Sequence, residues 1–373
     1  MDEVWRQKFD VCGHIINQME RININFGPVR VTFSYEQKFI EVGHALKNWL
    51  GESRIEQAQF HIEFLVSPSV FENVMNTGFT QPIIRTWAWD AVLVSSNEGL
   101  QVWVCNPRMT PKKYLARALP KWLFRFFNPL GASYWELQAG YLLYHIVLKV
   151  IQSALLKNEA SFVHAAGLSN SFGNAVLICG RGGVGKTTTA AYFCSKGHWT
   201  IIADDFVILS QDGIVYGSHL PAHIYGYHMP ILEQLGLQVD KLFKDWLDKL
   251  HWNIYSTLKS PAEVVRRVTL PEHLMSPNGI IKMCFIVESA RFDYKEASVQ
   301  SITQEEAAYL ALQYTLSEIQ GIFVAEEQQR AVDIICRAFR KAMCYRIIVP
   351  QSYKGSALAR IIWEKVAETL PGL

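Results

Sequence analysis

Three observations predict an α/β chain built around a phosphate-binding loop. Gly180 to Thr187 reads Gly-Arg-Gly-Gly-Val-Gly-Lys-Thr, the apolar run Ala175-Val176-Leu177-Ile178-Cys179 precedes it, and Thr188-Thr189-Ala190-Ala191-Tyr192-Phe193 follows. A strand that stops in a glycine-rich loop and restarts as a helix turns several backbone N–H groups and the positive end of the helix dipole toward one spot, where a polyphosphate can sit. The expected nucleotide-binding set is therefore Gly180, Arg181, Gly182, Gly183, Val184, Gly185, Lys186, Thr187 and Thr188. In this Walker A pattern the glycines allow close backbone approach, Lys186 reaches the β and γ oxygens, and the Thr187 hydroxyl ligates magnesium. ATP and Mg2+ are the expected cofactors.

Just downstream, the β-prone run Thr200-Ile201-Ile202-Ala203 ends in adjacent carboxylates, Asp204 and Asp205. A buried parallel strand delivers acidic side chains beside such a loop in this way. Phosphoryl transfer to an alcohol needs a metal to neutralise the phosphates and a carboxylate to accept the hydroxyl proton, so two acids with different roles suit a kinase. A single acid would serve a plain NTPase.

These stretches, together with Phe162-Val163-His164-Ala165-Ala166-Gly167, Gly197-His198 and Phe206-Val207-Ile208-Leu209, resemble the core of the HPr kinase family and its wider set of P-loop kinases, which are similar in fold to PEP carboxykinase. The resemblance covers roughly residues 160 to 350 and is specific near 162 to 209. It implies an ATP-dependent transferase acting on a serine or another hydroxyl, with His164 at the transferring phosphate, Asp204 as general base, and Asp205 with Thr187 holding magnesium. For His164 to reach that phosphate, the strand containing Phe162-Val163 is expected to run beside Ala175 to Cys179. The family's later arginine- and proline-rich signature is reduced here to Arg266-Arg267 before Val268-Thr269-Leu270-Pro271. A relative with its own acceptor, rather than HPr, is the expectation, and a reverse dephosphorylating activity is not implied.

Other readings start from the same loop. The acceptor could be a small-molecule hydroxyl. Partitioning and septum-positioning ATPases use a similar loop as a switch, but they carry a signature lysine where Arg181 stands, and their loop lies near the N-terminus. A non-catalytic nucleotide-binding module would have no use for Lys186, Thr187 and the acidic pair together.

The 373 residues suit two domains, and half of them are hydrophobic. A formal net charge of +2 gives no field that would attract nucleic acid. The seven cysteines are scattered without a Cys-x-x-Cys pair, which argues against a disulfide framework or a zinc site and for a reducing cytoplasm. No signal-peptide pattern or uncharged run of about eighteen apolar residues is read from the sequence, and homo-oligomerisation is left open.

The organisation expected is an accessory, mainly antiparallel α+β domain over 1–110, a connecting helical segment over 111–158 and the kinase domain over 159–373. In the first, Trp87, Trp89 and Trp103 read as core rather than as a ligand platform. In the second, the basic and aromatic stretch Tyr114 to Phe127 is expected to pack on the kinase core rather than lie on a membrane, and Tyr134 to Lys157 reads as a long apolar helix. In the third, Gln211-Asp212-Gly213 is flanked by strands in a hairpin pattern. His219, His223 and His228 belong to a segment broken by proline and glycine and are read as a loop contacting nucleotide or acceptor, not as a metal site. Residues 238 to 259 are expected to help form a mobile cover, Lys282 to Val287 and Tyr345 to Val349 buried strands, and Thr303 to Glu306 a helix start.

Overall fold

The computed structural model describes residues 19–50, 60–67, 71, 83–86, 88–96, 99–105, 116–128, 132–225, 228, 246–258, 265–268, 270, 272–290, 296–319, 321, 324–350 and 355–370. Its contacts divide the chain into two units, one of Met1–Asn128 with Ala132–Ile151, the other of Pro129–Gly131 with Gln152–Leu373. Both contain a mixed sheet and helices.

In the first unit, alternating apolar residues form β1 (Glu20–Phe26) and β2 (Val29–Tyr35), joined at Gly27, whose φ of 54° suits a tight turn. Helix α1 (Ile40–Leu50) buries Val42, Ala45, Leu46, Trp49 and Leu50, three- and four-residue steps that make one apolar stripe. The chain continues through β3 (Phe60–Val66), β4 (Ile83–Arg85), β5 (Asp90–Ser96) and β6 (Gly99–Cys105). The sheet order is β1-β2-β3-β6-β5-β4. Because α1 carries the chain back over the sheet, β3 lies parallel to β2, and it is parallel to β6 as well. The sheet is thus mixed, with three of its five strand pairs antiparallel and the two parallel pairs flanking β3; the α1 crossover went unread in the sequence, and a crossover of that length is what parallel pairing requires.

Trp89 and Trp103 are buried core residues, and Trp87 lies outside the described residues. Trp89 is fully covered, and its indole N–H donates to the Gln138 carbonyl at 2.9 Å. Trp89→Ala is expected to cost about 3–5 kcal/mol of stability through the cavity it leaves. Chemical denaturation of the two proteins measures it.

Helix α2 (Lys121–Phe127) packs within this unit, Phe124 edge-on to Tyr134 at 6.1 Å and Arg125 3.6 Å from Glu136. Helix α3 (Tyr134–Lys157) starts from a capping box between Ser133 and Glu136 and contains a π-helical segment at Leu143–Val147. It is long and apolar enough to cross a membrane, yet 78% of its most apolar window is buried inside the protein, as a core helix would be. The boundary between units falls inside it, at Ile151.

The second unit contains β7 (Ala160–Val163), β8 (Ala165–Asn170), β9 (Asn174–Gly180), α4 (Lys186–Ser195), β10 (Trp199–Ala203), β11 (Val207–Ser210), β12 (Ile214–Gly217), β13 (Ala222–Tyr225), α5 (Trp246–Leu258), β14 (Val265–Val268), β15 (Asn278–Ser289), β16 (Ser298–Ser301), α6 (Gln304–Glu318), α7 (Val324–Phe339), β17 (Met343–Val349) and α8 (Gly355–Thr369). Sheet order is β10-β8-β9-β15-β12-β11-β7, with β17 beside the later part of β15 and β16 beside β17. β13 and β14 pair separately. The expected hairpin at Gln211 to Gly213 joins β11 to β12, Gly213 taking φ 83°. Helix α5 covers part of the stretch expected as a cover, while 238–245 and 259 lie outside the described residues.

Alternation along β9 explains its unbroken apolar run. Ala175, Leu177 and Cys179 face a core closed by Ala307, Ala311 and Leu312 of α6 and Ile334 and Ile335 of α7. Val176 and Ile178 face the opposite core, closed by Ala190 and Phe193 of α4 and Leu358, Ile362 and Val366 of α8. Successive strand residues point to opposite faces, so a strand covered on both must be apolar throughout.

One irregularity bears on the site. β10 pairs antiparallel with β8, not parallel as the sequence suggested, and the register shifts between Ile201, opposite Leu168, and Ala203, opposite Gly167, leaving Ile202 as an extra residue two positions before Asp204.

Candidate functional site

β9, the glycine-rich loop and α4 follow one another as strand, loop and helix. Gly185 caps the helix at φ 99°, a left-handed conformation that side chains resist, and a Cβ on Gly180 would lie 2.7 Å from the Val287 carbonyl oxygen. By contrast, a Cβ on Gly182 or Gly183 would meet nothing within 4 Å, so the loop's backbone faces open space there.

Lys186, 7% exposed, folds back to donate from Nζ to the carbonyls of Gly180 (2.9 Å) and Arg181 (3.2 Å). Burial lowers its pKa, opposed by the charges of Asp205 and Asp204. An ammonium held this way is poised to exchange two carbonyls for an anion.

Asp204 and Asp205 leave β10 together, and adjacent residues diverge. Asp204 is 7% exposed. Its pKa rises to about 6, first from burial and then from the charge of Asp205, against the lowering influence of a Thr187 hydrogen bond and of Lys186. Its Oδ1 is buried without a hydrogen-bond partner. Asp205 is more open and lies between two imidazoles, Oδ1 3.1 Å from His164 Nε2 and Oδ2 3.5 Å from His223 Nδ1. Burial would raise its pKa, but hydrogen bonds from His164 and His223 hold it well below the usual carboxylate range.

His164 stands at the break between β7 and β8. The strand beside β9 is β8, with Ala165 opposite Cys179, while β7 pairs with β11. This corrects the expected pairing of Phe162-Val163 with β9; the outcome for His164 is unchanged, because antiparallel pairing of β8 brings the residue before Ala165 to the Gly180 end of β9. Its backbone N–H donates to Thr315 Oγ1 at 2.9 Å and its ring stacks on Phe206 at 4.9 Å.

A cavity of about 240 Å3 is lined by His164, Gly182, Gly183, Gly185, Lys186, Thr187, Asp204 and Asp205. His223 from β13, His228 and Glu318 complete its wall. His219 is exposed and is not part of the lining, and neither are Arg181, Val184 and Thr188. Burial lowers the pKa of His228 to about 4, so its imidazole is neutral near pH 7. Glu318 carried no sequence signal, being a single acid at the end of α6, and Thr315 none beyond membership of that helix. Thr187 hydrogen-bonds Asp204, and Thr187 and Asp205, the pair expected to hold magnesium, line the same cavity. Among the described residues no group of three or more His, Cys, Asp or Glu is arranged to hold a metal.

The fold and site describe a mixed α/β protein with a glycine-loop cavity bearing one lysine, two aspartates and clustered histidines. No protein-family model matches the chain, and no curated protein matches it. Among solved structures it is similar to the HPr(Ser) kinase/phosphatase from Coxiella burnetii, over 56% of this chain and 98% of that one, at 11% identity and a TM-score of 0.27. A likeness of that degree carries no argument about function, which rests on the residues of the cavity.

Proposed function

We propose that the chain is an ATP-dependent kinase that transfers the γ-phosphate to a hydroxyl, a serine of a protein or peptide. The supporting observation is the convergence of Lys186, Thr187, Asp204, Asp205 and His164 on one cavity at the mouth of the glycine-rich loop. Its volume falls below the ~300 Å3 at which pockets for whole drug-sized ligands begin, which suits a polyphosphate tail with the nucleoside outside.

In this reading Lys186 swings from the Gly180 and Arg181 carbonyls onto the β and γ oxygens, and loop N–H groups complete the cradle. Asp204 accepts the acceptor's hydroxyl proton on Oδ1 as the acceptor oxygen bonds to the γ-phosphorus and the bond from that phosphorus to the β–γ bridging oxygen breaks, ADP leaving. A raised pKa and a vacant oxygen are what a base working near neutral pH needs. The residues fit a hard divalent cation: the Thr187 hydroxyl and the Asp205 carboxylate are oxygen donors lining the cavity. Magnesium held there supplies charge neutralisation for the transferring group. His164 fixes Asp205 and places an imidazole beside the transferring phosphate.

His164→Ala is therefore expected to lower turnover by about a hundredfold per folded molecule. Loss of stability with unchanged turnover would return His164 to a packing role. The reading as a whole is tested by incubating the protein with γ-labelled ATP and a fractionated lysate of its own source, then identifying the labelled species. Label on a protein or peptide serine supports it, and label on a small molecule moves the acceptor to a metabolite hydroxyl. ATP-dependent dimerisation or partner release with no phosphorylated product would establish a switch instead.

A further inference from the structure

The sheet that carries the glycine-rich loop at one end carries a second, differently charged cleft at the other. Ile280 lies opposite Asn174 and Val287 opposite Gly180, so the start of β15 is seven residues, or about 20 Å, from the loop. There a cleft of about 460 Å3 opens, lined by Lys282 from β15, by Arg337 near the end of α7, and by Arg340 and Lys341 just past it. Asp212 is the one acid among its lining residues, leaving a balance of four cations to one anion, or +3, against a formal +2 for the whole chain.

A helix C-terminus attracts cations within its last turn, and that accounts for Arg337. It does not account for Lys282, which belongs to a strand. Arg337 is already aimed, donating to Gln211 Oε1 at 3.0 Å, whereas Lys282, Arg340 and Lys341 make no ion pair among the described residues. Ile280, 54% exposed, adds an apolar step to the same wall. Cations spread over a cleft too large for a single inorganic anion, with an exposed apolar residue in the same lining, match an extended chain bearing several carboxylates.

We propose that this cleft docks an acidic peptide segment of a partner protein, carboxylates meeting Lys282, Arg340 and Lys341 and an aliphatic side chain meeting Ile280. The site is independent of the phosphate chemistry assigned to the loop.

The probe is a fluorescein-labelled peptide of alternating glutamate and leucine, followed by anisotropy on the full-length protein, with a lysine–leucine peptide as the opposite-charge control. Binding of the acidic peptide alone, weakening as salt rises, is expected. Arg340→Glu combined with Lys341→Glu should weaken it by about tenfold, the result of reversing two exposed charges. Lys365→Glu on α8 should leave it within about twofold, well inside the 1.4 kcal/mol that makes a tenfold change. Both reversed residues are exposed, and should that double variant fold poorly, Arg340→Gln with Lys341→Gln should still weaken binding by about threefold. Equal affinity in the reversed or neutral variants overturns the proposal. So does displacement of the peptide by equimolar pyrophosphate, which would mean a site for simple anions or binding in the glycine-rich loop.

Discussion

Lys186→Ala abolishes phosphoryl transfer in the proposed mechanism, with an expected loss of about a thousandfold or more in turnover, while the fold survives. The side chain that is removed is a desolvated ammonium whose own burial opposes its charge, so its loss relieves a cost as well as ending two hydrogen bonds. The Gly180 and Arg181 carbonyls then face a cavity that water can enter. Calorimetry with a non-hydrolysable ATP analogue and magnesium checks the binding half of the claim, and circular dichroism the folding half. Unchanged affinity and turnover would remove the loop from the chemistry.

Asp204→Asn is the second large effect, and it has two signs. Turnover should collapse while magnesium–ATP binding persists, because an amide cannot take the hydroxyl proton. Asp205→Asn should act differently, raising the magnesium concentration needed for activity. Stability should move the other way for Asp204. Its folded-state pKa of about 6 lies above the unfolded value of 3.8, so the ionised carboxylate destabilises the fold above pH 6, and that penalty vanishes below about pH 4. In chelator-treated protein, Asp204→Asn is expected to gain about 1–3 kcal/mol at pH 7, with the gain fading as pH falls through 6 toward 4. Denaturant midpoints at three pH values decide it, and a variant that is less stable at pH 7 than at pH 4 relative to the parent would contradict the assignment.

What could be read in the chain depended on how local its signal was. The glycine-rich loop was legible because strand, loop and helix are contiguous, and each announces itself within a few residues of Gly180 and Lys186. Asp204 and Asp205 were legible as a pair, but not which one meets Thr187, since that depends on strand register. His164 was legible only through its order relative to the loop. Its neighbour strand was misassigned because β7 and β8 are separated by that single residue, and no pattern in Phe162 to Gly167 marks a change of partner. Helix α1 was missed although its apolar steps are regular, because strand-like runs on both sides mask a short helix between them. Glu318 and Thr315 reach the site through packing of α6 across the sheet, a long-range arrangement that leaves no local trace.

The extra residue at Ile202 puts two neighbours on one face of the strand. Ile201 belongs to the core closed by α4 and α8, whereas Ile202 and Ala203 both belong to the core closed by α6 and α7, two residues set against Gly167 alone. Pairing resumes at Ala203, so Asp204 and Asp205 take their directions from the ladder beyond the bulge and not from the number of residues before it. A related chain lacking the extra residue would keep the same division of labour between its two acids, and an alignment counted from Ile201 would shift them by one where an alignment anchored on Ala203 and Gly167 would not.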